Sequence, residues 1–268
     1  MNWFAIPTIV LGTAFFFVGA WVEKQTTGRS VNRIFLLAAL MLAVPGILFS
    51  VCYLKLLGEA LWFYRLRSVP GTELLASGAG LLGGLVFARV QKIARVRRFV
   101  GPWFVAMIFY FSLAAPYLKP LLLPPRWTSF EDRWSHGVCL QTSESSCGPA
   151  CVATLLRLHG GTNTEEQIAR ESFTSRTGTE NWYLARTLRR HGRSVIFARQ
   201  SNVHEPWPVP SIAGVTLSSF GKSGHFIALL SRQGDIYEVG DPLIGYDMKT
   251  QGELAKSYQF TGFFLEIN

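Results

Sequence analysis

Acidic residues are nearly missing from the first 123 positions of this 268-residue chain, where Glu23, Glu59 and Glu73 face twelve lysines and arginines. The later part sets fourteen basic residues against fourteen acidic ones, so the whole formal charge of +9 belongs to the first part. Charged residues are scarce overall, at 16% against the roughly one quarter usual for soluble domains. The basic surplus lies in short loops between apolar runs, as in membrane proteins, and this argues against a nucleic-acid partner. Cysteine is scarce too. Cys52 lies in an apolar run and Cys139, Cys147 and Cys151 cluster later, which is too few for a disulfide scaffold. The cysteines also lack the paired two-residue spacing of zinc motifs, so His136, Cys139, Cys147 and Cys151 make a poor metal site. A Cys139–Cys151 disulfide stays open for a domain facing an oxidising compartment. A nucleotide loop is missing: Gly221-Lys222-Ser223 has Thr216 where the motif requires glycine, and it leads into a strand pattern. Met1 and Asn2 provide no basic leader, and no small-residue cleavage site follows the first apolar run, so no cleavable signal is expected.

What is abundant is apolar length. Four stretches, 3–22, 34–57, 72–88 and 100–118, are each near the roughly 20 residues that span a bilayer. The third is glycine-rich and carries the weakest pattern, with a re-entrant or surface helix as its alternative, but Gly80 and Gly84 form a small-xxx-small pair suited to close helix packing. The intervening loops carry Lys24, Arg29 and Arg33, then Lys55, Arg65 and Arg67, then Arg89, Lys92, Arg95, Arg97 and Arg98. The last cluster marks the cytoplasmic side, which with four spans places the amino terminus and everything after Leu118 outside the cytoplasm. Lys55 and Glu59 lie near a span end, where they reach the interface, so the spans read as an anchor in preference to a transport path. The prolines of PYLKPLLLPP, 116–125, are expected to end the last helix and form a stiff exit.

A second domain follows. Residues 147–159 (CGPACVATLLRLH) have helical spacing and stop at Gly160-Gly161, Asn163 with Glu166 suggests a capping pair for a second helix, and 181–190 suggests a third. Strand patterns follow at 193–198, 209–217, 225–230, 235–239 and 260–267. Helices first and strands afterwards indicate an α+β domain.

Within it, Cys147 stands before glycine and proline at a helix start, where free N–H groups and the helix dipole stabilise a thiolate. Such a nucleophile needs a histidine base. His159 and His191 precede glycine at helix ends and His136 and His204 lie in loops, whereas His225 opens the apolar strand GHFIALL and can be held rigidly. Asp241, after the next strand, is placed to orient His225, and Gln141, six residues before Cys147, can join the cysteine's N–H in an oxyanion hole. Singly, each of these residues is more often structural. Their order and contexts together favour chemistry.

With these residues in view, the sequence resembles the bacteriocin-processing, double-glycine leader peptidases, papain-like domains usually fused to ABC exporters. The resemblance rests on QTSESSCGPACVATLLRLHGG, GTENWYLARTLRRHGRSVIFAR, VPSIAGVT, GHFIALL and YEVGDPLIGY, and covers about residues 140–268. It implies Cys147 as nucleophile, His225 as general base and acid, Asp241 as orienter and Gln141 as oxyanion donor. Family members usually carry this domain first, in the cytoplasm, ahead of exporter helices and an ATPase, an arrangement this sequence departs from. The expectation is therefore an all-α transmembrane region over 1–124 with about four helices, followed by a papain-like α+β cysteine peptidase domain over 125–268. The protein would be a multi-pass protein of the cell (inner) membrane that cleaves a peptide or protein substrate, with a separate exporter as a candidate partner and no metal or organic cofactor. Two alternatives stay open at this point: a module that binds a leader without cleaving it, and a papain-like acyl transferase.

Overall fold

A computed structural model describes residues 3–26, 33–54, 56, 58, 60–92, 107, 117–200, 202, 205–217 and 223–268. The chain divides into two compact units, 2–119 and 120–268.

In the first unit, α1 (Ala5–Gln25), α2 (Arg33–Tyr53) and α3 (Leu61–Arg67) are followed by a 3₁₀ turn, Thr72–Gly78, that runs into α4 (Ala79–Lys92). Among the described residues, Ala5–Gln25, Arg33–Tyr53 and Thr72–Lys92 are long and apolar enough to cross a membrane, with mean hydropathies of 1.9, 2.6 and 1.4. The three helices suggest association with a membrane. The fourth expected stretch, 100–118, lies outside the described residues except for Met107, Tyr117 and Leu118, as do Arg29, Lys55, Glu59, Arg95, Arg97 and Arg98.

The glycines of the third apolar stretch have a steric reason. A Cβ at Gly80 would overlap the Gly12 carbonyl oxygen and one at Gly84 the Phe16 carbonyl oxygen, while Gly19 is pressed in the same way against Leu81. Helices α1 and α4 thus meet backbone to backbone, the approach that small residues permit. Lys92 Nζ binds the carbonyl oxygen and the carboxylate of Glu23 where the two helices end. Arg67, read from the sequence as a loop charge, is buried instead. It sits 3.6 Å from the buried Glu73 carboxylate and lies over the rings of Phe49 and Tyr117. A buried arginine tolerates such a place only with a charge partner and aromatic faces around it.

The second unit opens with a hairpin of β1 (Trp134–Ser135) and β2 (Val138–Cys139), turned by His136 and Gly137, both at positive φ. Then come α5 (Cys147–Leu158), α6 (Glu165–Glu171), α7 (Asn181–Arg190), β3 (Val195–Arg199), β4 (Ser211–Leu217), β5 (Ser223–Gln233), β6 (Ile236–Asp241), β7 (Gly245–Thr250), α8 (Gln251–Ser257) and β8 (Gln259–Ile267). The six strands β3 to β8 form one antiparallel sheet in the order β3-β8-β4-β5-β6-β7. One core, built from Trp207, Ile227, Leu229, Tyr237, Leu254 and Phe264, joins the sheet to α8. Helix α5 is buried from Cys147 to Leu156. Three helices precede the six-stranded sheet and one short helix, α8, lies between its last two strands, which gives the expected α+β class.

Local differences from the sequence reading are few and have physical causes. Helix α6 is capped by Thr164 with Gln167, one residue after the expected Asn163–Glu166 pair, because the threonine hydroxyl accepts from the Gln167 N–H while the glutamine side chain accepts from Thr164. Residues 117–122 are helical, so the helix continues past Pro120, whose fixed φ is itself helical, and ends before Pro124-Pro125. Cys139 and Cys151 are both free, buried thiols, so the disulfide left open above is not formed.

Candidate active site

Cys147 is the first residue of α5, entered through a tight serine turn. Ser146 N–H donates to the Ser143 carbonyl at 3.2 Å, Ser143 N–H donates to Ser146 Oγ at 3.1 Å, and Ser146 Oγ donates back to the Ser143 carbonyl at 3.0 Å. The first N–H groups of the helix are left without intrahelical acceptors, and they converge around Cys147. One turn further on, Cys151 Sγ donates to the carbonyl of Phe226 in β5 at 3.4 Å. Residues four apart share a helix face, so this contact carries Cys147 to the neighbourhood of His225. Gly148 makes the approach possible, since a Cβ there would meet Leu184 at 3.0 Å and Phe226 at 3.5 Å.

His225 and Asp241 meet through strand register. Ala228 pairs with Gly240 across β5 and β6, which puts Asp241 diagonal to His225 on the same face. His225 Nε2 lies 2.8 Å from Asp241 Oδ1, with both side chains buried. The Cys147 thiol acts on the same imidazole and favours its charged form, while Nε2 is taken by the carboxylate. Cys147, His225 and Asp241 are 8%, 5% and 2% exposed, so the set is largely shielded from water. Burial alone would lower the proton affinity of His225, but the hydrogen bonds to Asp241 and Cys147 and the charges of both raise it to about 9. Burial would raise Asp241, yet hydrogen bonds from His225, Tyr258 and the Leu243 N–H hold it below the usual carboxylate range.

Gln141 is fixed at two points. Its backbone N–H donates to the carbonyl of Pro242, next to Asp241, at 2.8 Å, and its Nε2 donates to the Ser143 carbonyl at 2.8 Å. The first bond ties the loop before Cys147 to the turn after Asp241. Among the described residues, the buried Oε1 of Gln141 has no hydrogen-bond partner.

The other histidines lie elsewhere. His136 forms the β1–β2 turn, His159 and His191 cap α5 and α7, and His191 Nε2 lies 2.9 Å from the Glu171 carboxylate. His204 lies outside the described residues.

Two supporting residues escaped the sequence reading. Glu165, fully buried at the start of α6, accepts from Thr142 N–H at 3.1 Å and Thr142 Oγ1 at 2.9 Å, and it also bonds the Ser146 side chain. It fastens the loop between Gln141 and Cys147, and burial raises its proton affinity. Tyr258 OH donates to Asp241 Oδ2 at 2.6 Å. Neither has a local signal, since a glutamate in a first helical turn and a tyrosine before a strand are ordinary features.

The arrangement offers a thiol at a helix start, an imidazole on it, and a carboxylate behind the imidazole. The profile of the peptidase C39 family matches residues 135–268, half of the sequence. The chain belongs to the peptidase C39 family. Its C39 domain is accordingly a papain-like α+β cysteine peptidase domain. Across 133 residues the chain is 28% identical to the lactococcin-G-processing and transport ATP-binding protein LagD of Lactococcus lactis subsp. lactis. That alignment takes in 48% of this chain and 18% of the relative, so the chain matches less than a fifth of the relative's length. Solved structures similar to the C39 domain include a double glycine motif protease from an AMS/PCAT transporter in complex with the leader peptide, at 23% identity and TM-score 0.41, covering 48% of this chain and 89% of that one. Another is the peptidase domain of Streptococcus mutans ComA, at 16% identity and TM-score 0.38, covering 50% of this chain and 99% of that one.

Proposed function

We propose that the chain is a membrane-anchored cysteine endopeptidase in which Cys147 is the nucleophile, His225 the general base and acid, Asp241 the residue that orients His225, and Gln141 an oxyanion donor. The observation that carries this reading is a single buried imidazole 2.8 Å from a buried carboxylate, with the thiol of a helix-opening cysteine acting on the same ring. Cys147 Sγ adds to the scissile carbonyl carbon as its proton passes to His225 Nδ1. The oxyanion is held by the Cys147 N–H and by the Gln141 Nε2 hydrogen not engaged with Ser143. Collapse of the adduct breaks the C–N bond, His225 returns the proton to the leaving amine, and a thioester remains on Cys147. Water, deprotonated by His225, then attacks the thioester and releases the carboxylate product and the thiol.

The substrate class we propose is a peptide whose leader ends in a double glycine, as the sequence resemblance implies, and the relative named for lactococcin-G processing supports a peptide substrate. We take the basic cluster of 89–98 as support for a C39 domain that faces away from the cytoplasm, where it would meet exported peptides with a separate exporter as partner.

The test uses the purified full chain and a synthetic peptide spanning a double-glycine junction. Cys147→Ala is expected to lower turnover by at least about 10³-fold with an unchanged melting temperature, and Asp241→Asn to cause a smaller, still large loss. Full cleavage by Cys147→Ala would overturn the proposal. Peptide capture without cleavage by the unmodified chain would favour the binding module, and a product mass carrying an added amine would favour acyl transfer.

A further inference from the structure

The Asp241 carboxylate has two oxygens, and the triad uses one of them. Oδ1 takes His225 Nε2 and the Leu243 N–H, each at 2.8 Å, while Oδ2 takes the Tyr258 hydroxyl at 2.6 Å. We propose that Tyr258 is a positioning residue of the peptidase reaction, acting through Asp241 by holding the carboxylate ionised and aimed at His225. The inference rests on the reading of Asp241 as the orienter of His225.

Three observations support it. A buried carboxylate oxygen without a donor is costly, and Tyr258 is the side-chain donor to Oδ2. The phenol is itself held firmly. It terminates α8, whose start is fixed by the capping box of Thr250 and Glu253, its N–H bonds the Leu254 carbonyl at 2.9 Å, and its ring packs in the sheet core edge-on to Phe260. Burial and the Asp241 charge both raise the proton affinity of the phenol, so it remains a donor across the working pH range. The titratable groups facing the pair are His225 on β5, Cys147 and Cys151 on α5, and Asp247 on β7. Of these only His225 donates to the carboxylate, and it does so at Oδ1, so among the described residues the tyrosine is the titratable side chain that supports Oδ2.

Removal of the hydroxyl leaves Oδ2 buried and bare. Asp241 then retains its proton to higher pH, and the protonated acid no longer supports an imidazolium. Tyr258→Phe is therefore expected to lower kcat about tenfold or more with little change in KM, and to move the acidic limb of the rate profile upward by about one pH unit. In the Asp241→Asn background the same change should cost almost nothing further, because both substitutions act on one bond. A role confined to packing would cost the same in both backgrounds and leave the acidic limb in place, and that result overturns the proposal. If Tyr258→Phe does not fold, a ring-fluorinated tyrosine at 258 keeps the shape and donates more strongly, so the acidic limb should move down, and an unmoved limb overturns the proposal. Asp241→Asn alone separates the two failures: a large loss there with a silent Tyr258→Phe sinks only the tyrosine's role, whereas a silent Asp241→Asn sinks the reading of the site.

Discussion

At His225 burial and hydrogen bonding act in opposite directions, and the bonds to Asp241 and Cys147 win, raising the group from 6.5 to about 9. The raised affinity belongs to the folded state, so the stability it contributes is fully present below about pH 6.5 and is lost as pH rises through about 9. In the proposed mechanism the same proton is the one delivered to the leaving amine. Peptidase activity should therefore fall along a limb near pH 9, and the melting temperature should decline over the same interval. Asp241→Asn removes the carboxylate charge, so its limb should move toward 6.5. Activity that stays constant to pH 10 in the unmodified chain, or a limb unmoved by the substitution, would contradict the assignment. The three cysteines of the C39 domain show how environment separates one residue type into roles. Cys139 and Cys151 are buried among neighbours that push their thiols upward, first by desolvation and then by nearby negative groups, so they stay protonated and inert. Cys147 alone opens a helix and touches an imidazole.

Among the elements, legibility in the sequence followed the strength of the local pattern. Helix α7 occupies the expected 181–190 because its apolar positions recur on one face between Glu180 and the stop at Gly192. The strand carrying His225 was visible as a continuous apolar run, as befits a strand inside the sheet. Edge strand β7 was missed because GYDMKT has little apolar content, although the Thr250-to-Glu253 capping spacing could have revealed α8 behind it. Cys147, His225, Asp241 and Gln141 could be proposed from the sequence because helix start, strand start and turn each leave a mark in one dimension. Glu165 and Tyr258 could not, since their roles exist only after α6 and α8 fold back on the site. The glycines of α4 carry a prediction at this scale. Gly84→Leu drives a side chain into the Phe16 carbonyl of α1 and should lower the melting temperature of the detergent-solubilised chain by an amount equivalent to about 2 kcal/mol or more. Gly252→Ala, where a Cβ meets nothing within 4 Å, should leave it level or raise it. Equal effects of the two substitutions would refute the close packing of α1 on α4.

Across the whole molecule, two kinds of solvent have shaped one chain. The first 123 residues concentrate apolar length and the entire net charge, and they contain three described helices fit to cross a bilayer. The charge-balanced remainder carries the C39 domain. In the proposed reading, a peptidase tethered in this way would work on peptides near a membrane surface, and the side it faces would decide which peptides it meets. The central claim is that Cys147 is a nucleophile because His225 activates it. It is tested most directly by the rate at which a membrane-impermeant thiol reagent alkylates Cys147 at mildly acidic pH, read by mass spectrometry on the full chain in intact cells, beside His225→Ala. The account predicts rapid labelling that slows by about tenfold or more in the histidine variant. Equal, slow labelling of both chains, in intact and lysed cells alike, would contradict it.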